Sequence, residues 1–275
     1  MKMEHASVLL TGASGGIGSC LSRQLVHAGA RVLLAGRSQE RLLTLAAALQ
    51  PTSAGRDRVD ALVVDITTES GRNALVQAAR ARQVNVLVNN AGIPCFGSAA
   101  QARSEQLQAL IQTNVIAPML LTAGLLPHLQ QQRSALILNV GSVLGELGVP
   151  GFAVYGASKA ALRHYSQSLR RELKGSSVKV LLAEPRAVRT AFNDEQTQAF
   201  NQRTGTHADT PEVVARTLLK MLQTEQSQRV FGFPERLAVI LNRLFPLSMD
   251  MAFERHRRAL DASQASQAVN SLEGQ

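Results

Sequence analysis

The sequence has no tryptophan, two tyrosines, two cysteines and only five lysines in 275 residues. Two thiols, Cys20 and Cys95, cannot build a disulfide framework or a zinc cluster, so no metal site is expected and a reducing, cytoplasmic setting is. There is no run of about 18 apolar residues, so no transmembrane helix is expected. The opening Met1-Lys2-Met3-Glu4-His5 leads straight into an apolar strand, without the apolar core of a signal peptide. The formal charge is +9, yet the arginines are scattered and aromatics make up 4%. A nucleic-acid binder would show a basic stripe with aromatics between, so that class is set aside. Dispersed positive charge suits small anionic ligands better.

Hydrophobic residues, 45% of the chain, are enough for a sizeable core and exclude disorder over most of the length. Short, unalternated, β-branched runs recur: Val8–Leu10, Arg31–Ala35, Val59–Val64, Val84–Val88, Leu136–Val140 and Val178–Ala183. Strands of that kind are buried on both faces. Helical-period stretches separate them: Gly16–Gly29, Ser38–Gln50, Thr68–Arg82, Ser104–Gln132 (bent or ended by Pro118 and Pro127) and Phe152–Lys174. The alternation predicts βαβ units with right-handed crossovers. The expected fold is α/β, a Rossmann-like doubly wound parallel sheet in three layers. Residues 1–230 are expected to form the main domain, with Thr190–Asp209 as a polar, strandless loop. Residues 231–275 are expected to form a helical extension with a polar tail.

Between the first strand and first helix lies Thr11-Gly12-Ala13-Ser14-Gly15-Gly16-Ile17-Gly18. Glycines at 12, 16 and 18 permit a tight turn and close backbone approach, and the helix start offers N–H groups to a pyrophosphate. A glycine motif alone is weak, but its place in a βαβ unit is the context it requires. The second strand ends in Gly36-Arg37 rather than in the carboxylate that would meet ribose hydroxyls. A guanidinium there matches a phosphate, which favours NADP(H). Asp65 and Asn90-Ala91-Gly92 follow the third and fourth strands, at the carboxyl edge where open sheets bind ligands.

Tyr155 is followed four positions later by Lys159, on one face of a helix. A neighbouring ammonium favours the phenolate and is expected to lower the Tyr155 pKa, giving a phenol that exchanges protons near neutrality. Ser142, just past the fifth strand, is placed to hold a carbonyl oxygen close by.

Taken together these residues resemble the short-chain dehydrogenase/reductases. The resemblance runs from about Ser7 to Gln228 and joins the cofactor turn, Asn89-Asn90-Ala91-Gly92, and Asn114, Ser142, Tyr155 and Lys159, which match the family's catalytic tetrad. It implies that Tyr155 is the general acid/base and that Ser142 positions the carbonyl. Lys159 would tune the phenol and bind the nicotinamide ribose, and Asn114 would hold a relay water. Gly12, Ser14, Gly15, Gly16, Ile17 and Gly18 would cradle the cofactor. Asp65 and Ile66 would flank adenine, Asn90 would meet the adenosine ribose, and Val188 and Thr190 the carboxamide. The expected activity is NADP(H)-dependent interconversion of a lipophilic carbonyl and its alcohol in a homo-oligomer (dimer or tetramer). The alternative is an NADP-binding redox sensor or scaffold without turnover.

Three features stand apart from that pattern. After the sixth strand the family's Pro-Gly is replaced by Pro185-Arg186, and Arg186 or Arg189 is either an anion contact or a solvated loop residue. Cys95 either lines the substrate cleft or is a buried inert thiol, and Cys20 reads as a buried inert thiol. In the extension, Leu237, Ile240, Leu241, Leu244 and Phe245 share one helical face. Such stripes usually face a core, here the chain's own body or a partner subunit. The sharper reading is a flap over a lipophilic substrate, with weak peripheral membrane contact.

Overall fold

The computed structural model describes residues 1–50 and 58–262. Seven strands form one parallel sheet: β1 (Ser7–Thr11), β2 (Arg31–Gly36), β3 (Val59–Val63), β4 (Val86–Asn89), β5 (Ala135–Val140), β6 (Val178–Glu184) and β7 (Gln228–Val230). Their order is β3-β2-β1-β4-β5-β6-β7, with every neighbouring pair parallel. The chain winds one way from β1 to β3 and the other way from β4 onward. The order therefore reverses between β1 and β4, and the carboxyl ends of those strands open a crevice. Every residue of β1, β4 and β5 is buried, as their unalternated apolar sequences require.

Helices α1 (Gly16–His27), α2 (Gln39–Leu49) and α8 (Pro211–Thr224) cover one face of the sheet. On the other face lie α3 (Glu69–Ala81), α5 (Ala117–Gln130) and α6 (Ala153–Glu172). Two apolar clusters, one per face, make the core. A polar seam crosses it. Register pairs Asn89 with Asn139, and Asn89 Nδ2 donates to Asn139 Oδ1 at 2.8 Å and to Thr122 Oγ1 at 3.1 Å. Asn139 Nδ2 then donates to Ser166 Oγ at 2.8 Å, which fastens β4, β5, α5 and α6 to one another.

The six expected strands and their intervening helices are present, and the structure corrects five details. The helix expected over Ser104–Gln132 is α4 (Ser104–Ile111), a π-helical turn (Gln112–Ile116) and then α5. Pro118 opens α5 and Pro127 sits inside it, so the irregularity lies at the π turn rather than at either proline. Ser104–Gln130 is long and apolar enough to cross a membrane by length and composition, a property the sequence reading did not assign. Here Leu121, Leu125 and Leu129 are in the core. The loop Thr190–Asp209 contains a helix, α7 (Glu195–Thr204), started by the Asp194 carboxylate accepting from Thr197 N. Strand β7 was not expected, because Gln228-Arg229-Val230 has no apolar pattern. Cys20 is not a buried thiol but half-buried, donating to Glu212 at 3.5 Å between α1 and α8.

The extension departs most. Helix α9 (Phe233–Leu244) forms as its period predicts, but the stripe faces outward: Leu237, Ile240, Leu241, Leu244 and Phe245 are exposed. Val239 alone in α9 is buried, against Val143 and Leu147. The helix is instead fixed by polar contacts, with Asn242 Nδ2 donating to the Glu146 carbonyl at 2.9 Å and Arg243 bound to the Glu146 carboxylate.

Removing the Asn139 side chain would leave Asn89 Nδ2 short of a partner and the Ser166 hydroxyl without its donor, both inside the core. Asn139→Ala is expected to cost about 2 kcal/mol or more, read as a lowered urea midpoint. An unchanged midpoint would show that the seam contributes nothing.

Candidate active site

A cavity of about 740 Å³ occupies the crevice, lined from Gly12 and Arg37 at one end to Phe200 and His256 at the other. Fifteen of the sixteen site residues expected from sequence fall on its wall; Asn114 lies behind it.

At the first end the β1–α1 turn is built for close approach. Gly12 has φ +64°, and a Cβ there would lie 2.8 Å from Ala91 Cα. A Cβ on Gly18 would lie 2.1 Å from the Gly12 carbonyl, and one on Gly16 would strike Thr190 at 2.4 Å. No side chain caps α1, whose first N–H groups face the cavity end. Thr11 Oγ1 accepts from both Asn90 N and Ala91 N at 3.1 Å, and Asn90 Nδ2 returns to the Thr11 and Gly12 carbonyls at 3.1 and 3.2 Å. The two turns of the crevice are thereby locked together. Arg37 is exposed and lines this end beside Arg41, which sequence reasoning missed. Its position four residues after Arg37, in the first turn of α2, was the available signal. Asp65 accepts from Thr67 N at 2.8 Å and Thr67 Oγ1 at 2.7 Å. Burial opposes its charge, but those two bonds and the Arg37 charge hold its pKa below the usual carboxylate value.

At the centre are Ser142, Tyr155 and Lys159, all buried. Lys159 Nζ lies 5.7 Å from the centre of the Tyr155 ring and donates to the Val140 carbonyl at 3.1 Å. Burial pushes the Lys159 pKa down to about 8. The Tyr155 phenol moves up, not down as the Tyr–Lys spacing suggested: burial outweighs the pull of the Ser142 hydroxyl. At neutral pH it is a protonated donor. Ser142 Oγ accepts from Leu144 N at 3.2 Å, fixing the serine at the head of a short 3-10 turn. Asn114, in the π turn, accepts from Ile93 N at 2.9 Å and donates to Ile93 O at 3.0 Å and Ser158 Oγ at 3.2 Å. It ties the β4 turn to the helix that carries Tyr155 and Lys159.

The far end is apolar. Leu144, Leu147, Phe152, Phe192, Phe200 and Phe253 contribute to its wall, and half-buried Cys95 joins them, which favours the cleft reading over the buried thiol. Phe192 and Phe200 were not singled out from sequence, because the wall draws on separated segments. Arg186 is neither a free anion contact nor a solvated loop residue. Its guanidinium is gripped by Asp209 (2.8 and 3.0 Å) and by Glu235 (3.2 Å), so it ties the segment after β6 to α9.

Beneath Ser142 sits a second charged cluster. Glu146 is bound by Arg243 and lies 3.7 Å from Arg163. Glu184, at the end of β6, accepts from Gln228 Nε2 at 2.8 Å, while its other oxygen is buried without a donor. Burial, then the Glu146 charge, pushes the Glu184 pKa up to about 7. A carboxyl raised in the folded state stabilises it below the ordinary carboxylate pKa and loses that contribution as pH rises through the folded value. Wild-type stability is therefore expected to fall between about pH 5 and pH 8 by on the order of 2 kcal/mol more than that of Glu184→Gln. Thermal midpoints of the two proteins across that range check this, and parallel curves would refute it.

The short chain dehydrogenase family profile matches residues 6–201. The chain is 30% identical over 256 residues to the ketoacyl reductase HetN of Nostoc sp., covering 90% of this chain and 88% of that one. It is 33% identical over 214 residues to the NADP-dependent 3-hydroxy acid dehydrogenase YdfG of Salmonella typhi, covering 74% and 84%. A short-chain dehydrogenase from Sphingobium yanoikuyae solved with NADPH superposes with a TM-score of 0.74 at 28% identity, over 89% of this chain and 96% of that one. With its cradle, its buried Ser142, Tyr155 and Lys159, and this match to over half its length, the chain belongs to the short-chain dehydrogenase family of oxidoreductases.

Proposed function

We propose that this protein is an NADPH-dependent reductase of neutral carbonyl compounds with apolar bodies. The observation that carries the reading is one cavity that joins a phosphate-compatible cradle, Ser142, Tyr155 and Lys159, and an apolar far wall. The residues fit the dinucleotide. Gly12, Gly16 and Gly18 keep the turn free of Cβ atoms where the backbone must approach, the uncapped α1 offers N–H donors, as do Ser14 and Ile17, and Gly15 tightens the turn by donating its N–H to the Gly12 carbonyl at 3.1 Å. Arg37, with Arg41, would pair with a 2′-phosphate. Asp65 and Ile66 would border the adenine, Asn90 the adenosine ribose, and Val188 and Thr190 the carboxamide. Bound there, the nicotinamide would supply the hydride.

The chain's own residues would handle the proton. Ser142 and Tyr155 hold the carbonyl oxygen, and Tyr155, protonated in its buried setting, donates to that oxygen as negative charge develops. The Lys159 ammonium stabilises the phenolate left behind. Asn114 acts at one remove, holding the Ile93 backbone against Ser158. Arg186, paired with both Asp209 and Glu235, offers no free guanidinium to a substrate carboxylate, which favours uncharged substrates. The relatives' activities, on ketoacyl and 3-hydroxy acid compounds, support reaction at a carbonyl/hydroxyl centre. The segment 231–256 serves this site as a lip, through Pro234, Glu235, Phe253 and His256.

Tyr155→Phe is expected to lower kcat for ketone reduction about a thousandfold while the NADPH dissociation constant stays within a few-fold; retained turnover would overturn the role. Arg37→Asp is expected to weaken NADPH by about tenfold or more relative to NADH. Titration of both cofactors checks this, and an unmoved ratio would place the phosphate elsewhere.

A further inference from the structure

The outward face of α9 and of the 3-10 turn after it (Leu247–Phe253) carries the most exposed apolar side chains of the protein. Phe233, Leu237, Ile240 and Leu244 follow one helical face, and Leu247 and Met251 extend it. Phe233 is 79% exposed, Leu247 84% and Met251 86%, whereas no large apolar side chain described outside this segment exceeds 47%. The helix is already built and held from its other side, where Arg243 and Asn242 bind Glu146. Seating the apolar face on a partner therefore costs no helix formation. Outside the described residues, 51–57 and 263–275 hold only Val269 and Leu272 as large apolar side chains, so the chain itself offers little to cover the face.

Beside that face, between β7 and α9, runs a cleft of about 510 Å³ whose wall carries Arg229, Arg236 and Arg243 and no acidic residue. Ile240 belongs both to the cleft wall and to the apolar face, so the two adjoin. Arg243 is committed to Glu146. Arg236 gives only its Nε, to the Val230 carbonyl at 2.9 Å, and the Arg229 side chain has no partner among the described residues. Two guanidinium groups thus keep forked N–H donors free, and that geometry takes phosphate oxygens in pairs. A partner that fits has apolar chains beneath a layer of phosphate.

We propose that the outward face of α9 is a docking surface for an anionic phospholipid bilayer. Phe233, Leu237, Leu244, Leu247 and Met251 enter the boundary of the acyl region while Arg229 and Arg236 meet lipid phosphates. The net charge of +9 adds attraction at longer range. Side chains that project so far suit a medium that closes around each of them. A second copy of the chain would bring the same two arginines to this patch, with exposed Asp250 the one unpaired carboxylate from Phe233 to Phe253 to meet them. Pro234, Glu235 and Phe253 of the same segment line the cavity, so docking sets the cavity's lip at the bilayer. Docking of this kind does not depend on the reductase reading, and vesicle binding is measured without turnover.

Co-sedimentation of the full chain with vesicles tests it, at about 0.1 M salt. One set of vesicles is phosphatidylcholine alone, and the other is phosphatidylcholine mixed with phosphatidylglycerol. The proteins are wild type, Leu244→Ser with Leu247→Ser, and Arg229→Gln with Arg236→Gln. Both leucines are exposed, so the fold does not rest on them, and thermal midpoints check each variant. Wild type is expected to bind the mixed vesicles about tenfold or more tightly than the neutral ones, the difference shrinking as salt rises. The leucine pair should weaken binding to the mixed vesicles about tenfold or more. The arginine pair should erase the preference for the mixed vesicles. Failure of wild type to bind the mixed vesicles overturns the proposal whatever the variants do. Unchanged binding by the leucine pair also overturns it, and a preference that survives the arginine change removes the cleft from it. If the leucine pair instead splits an assembly on gel filtration, the face belongs to a second copy and the proposal falls.

Discussion

A primary ammonium held inside the protein is the constraint around which the rest of the site is arranged. Lys159 Nζ is held by the Val140 carbonyl at the end of β5, and a Cβ on Gly92 would come within 3.6 Å of it. A pKa lowered from 10.5 to about 8 corresponds to roughly 3 kcal/mol disfavouring the charged form. The fold tolerates that because three crossovers converge there: the β4 turn, the end of β5 and the first turns of α6. Asn114 joins the first to the third, and the π turn in which it sits is the one break in an otherwise continuous helix from Ser104 to Gln130. Helical irregularities of this kind gather at functional sites, and here the extra residue brings an amide to two elements at once.

The same burial gives the phenol its direction. Spacing alone suggests that the ammonium wins and the phenol ionises easily. In the folded protein desolvation wins, because Tyr155 is as deeply enclosed as its partner. A protonated phenol is poised to give a proton to a carbonyl oxygen, and the ammonium matters most after transfer, when a phenolate must be accommodated.

How much of this could be read from the chain depends on the range of the interaction. Strands such as Val86–Asn89 and Ala135–Val140 were legible because burial on both faces leaves an unbroken apolar run. The glycine turn and the Tyr155–Lys159 pair were legible because their chemistry is local. Strand β7 was not, since Gln228-Arg229-Val230 is held by register on β6 and by the Glu184 bond rather than by apolar pattern. Helix α7 carries one fully buried aromatic, Phe200, in a polar sequence, and only its Asp194 cap announces it. Arg186 was misplaced because its partners, Asp209 and Glu235, are 23 and 49 residues away. The aromatic far wall, drawn from Phe152, Phe192, Phe200 and Phe253, is invisible until the segments are brought together.

The extension shows the limit of periodicity most clearly. A helical period says which residues share a face; it does not say which way the face turns. In α9 the polar side does the fastening. Asn242 and Arg243 reach Glu146, and Glu235 reaches Arg186, while Leu237, Ile240 and Leu244 face away from the body. Glu146 is almost wholly buried, so its charge needs a cation, and Arg243 supplies one from the extension. The consequence for function is positional. With α9 fixed to Glu146 and Arg186, in the segments that follow Ser142 and Pro185, the chain after it is carried back over the cavity. Phe253 and His256 then contribute to the cavity wall from beyond the last strand.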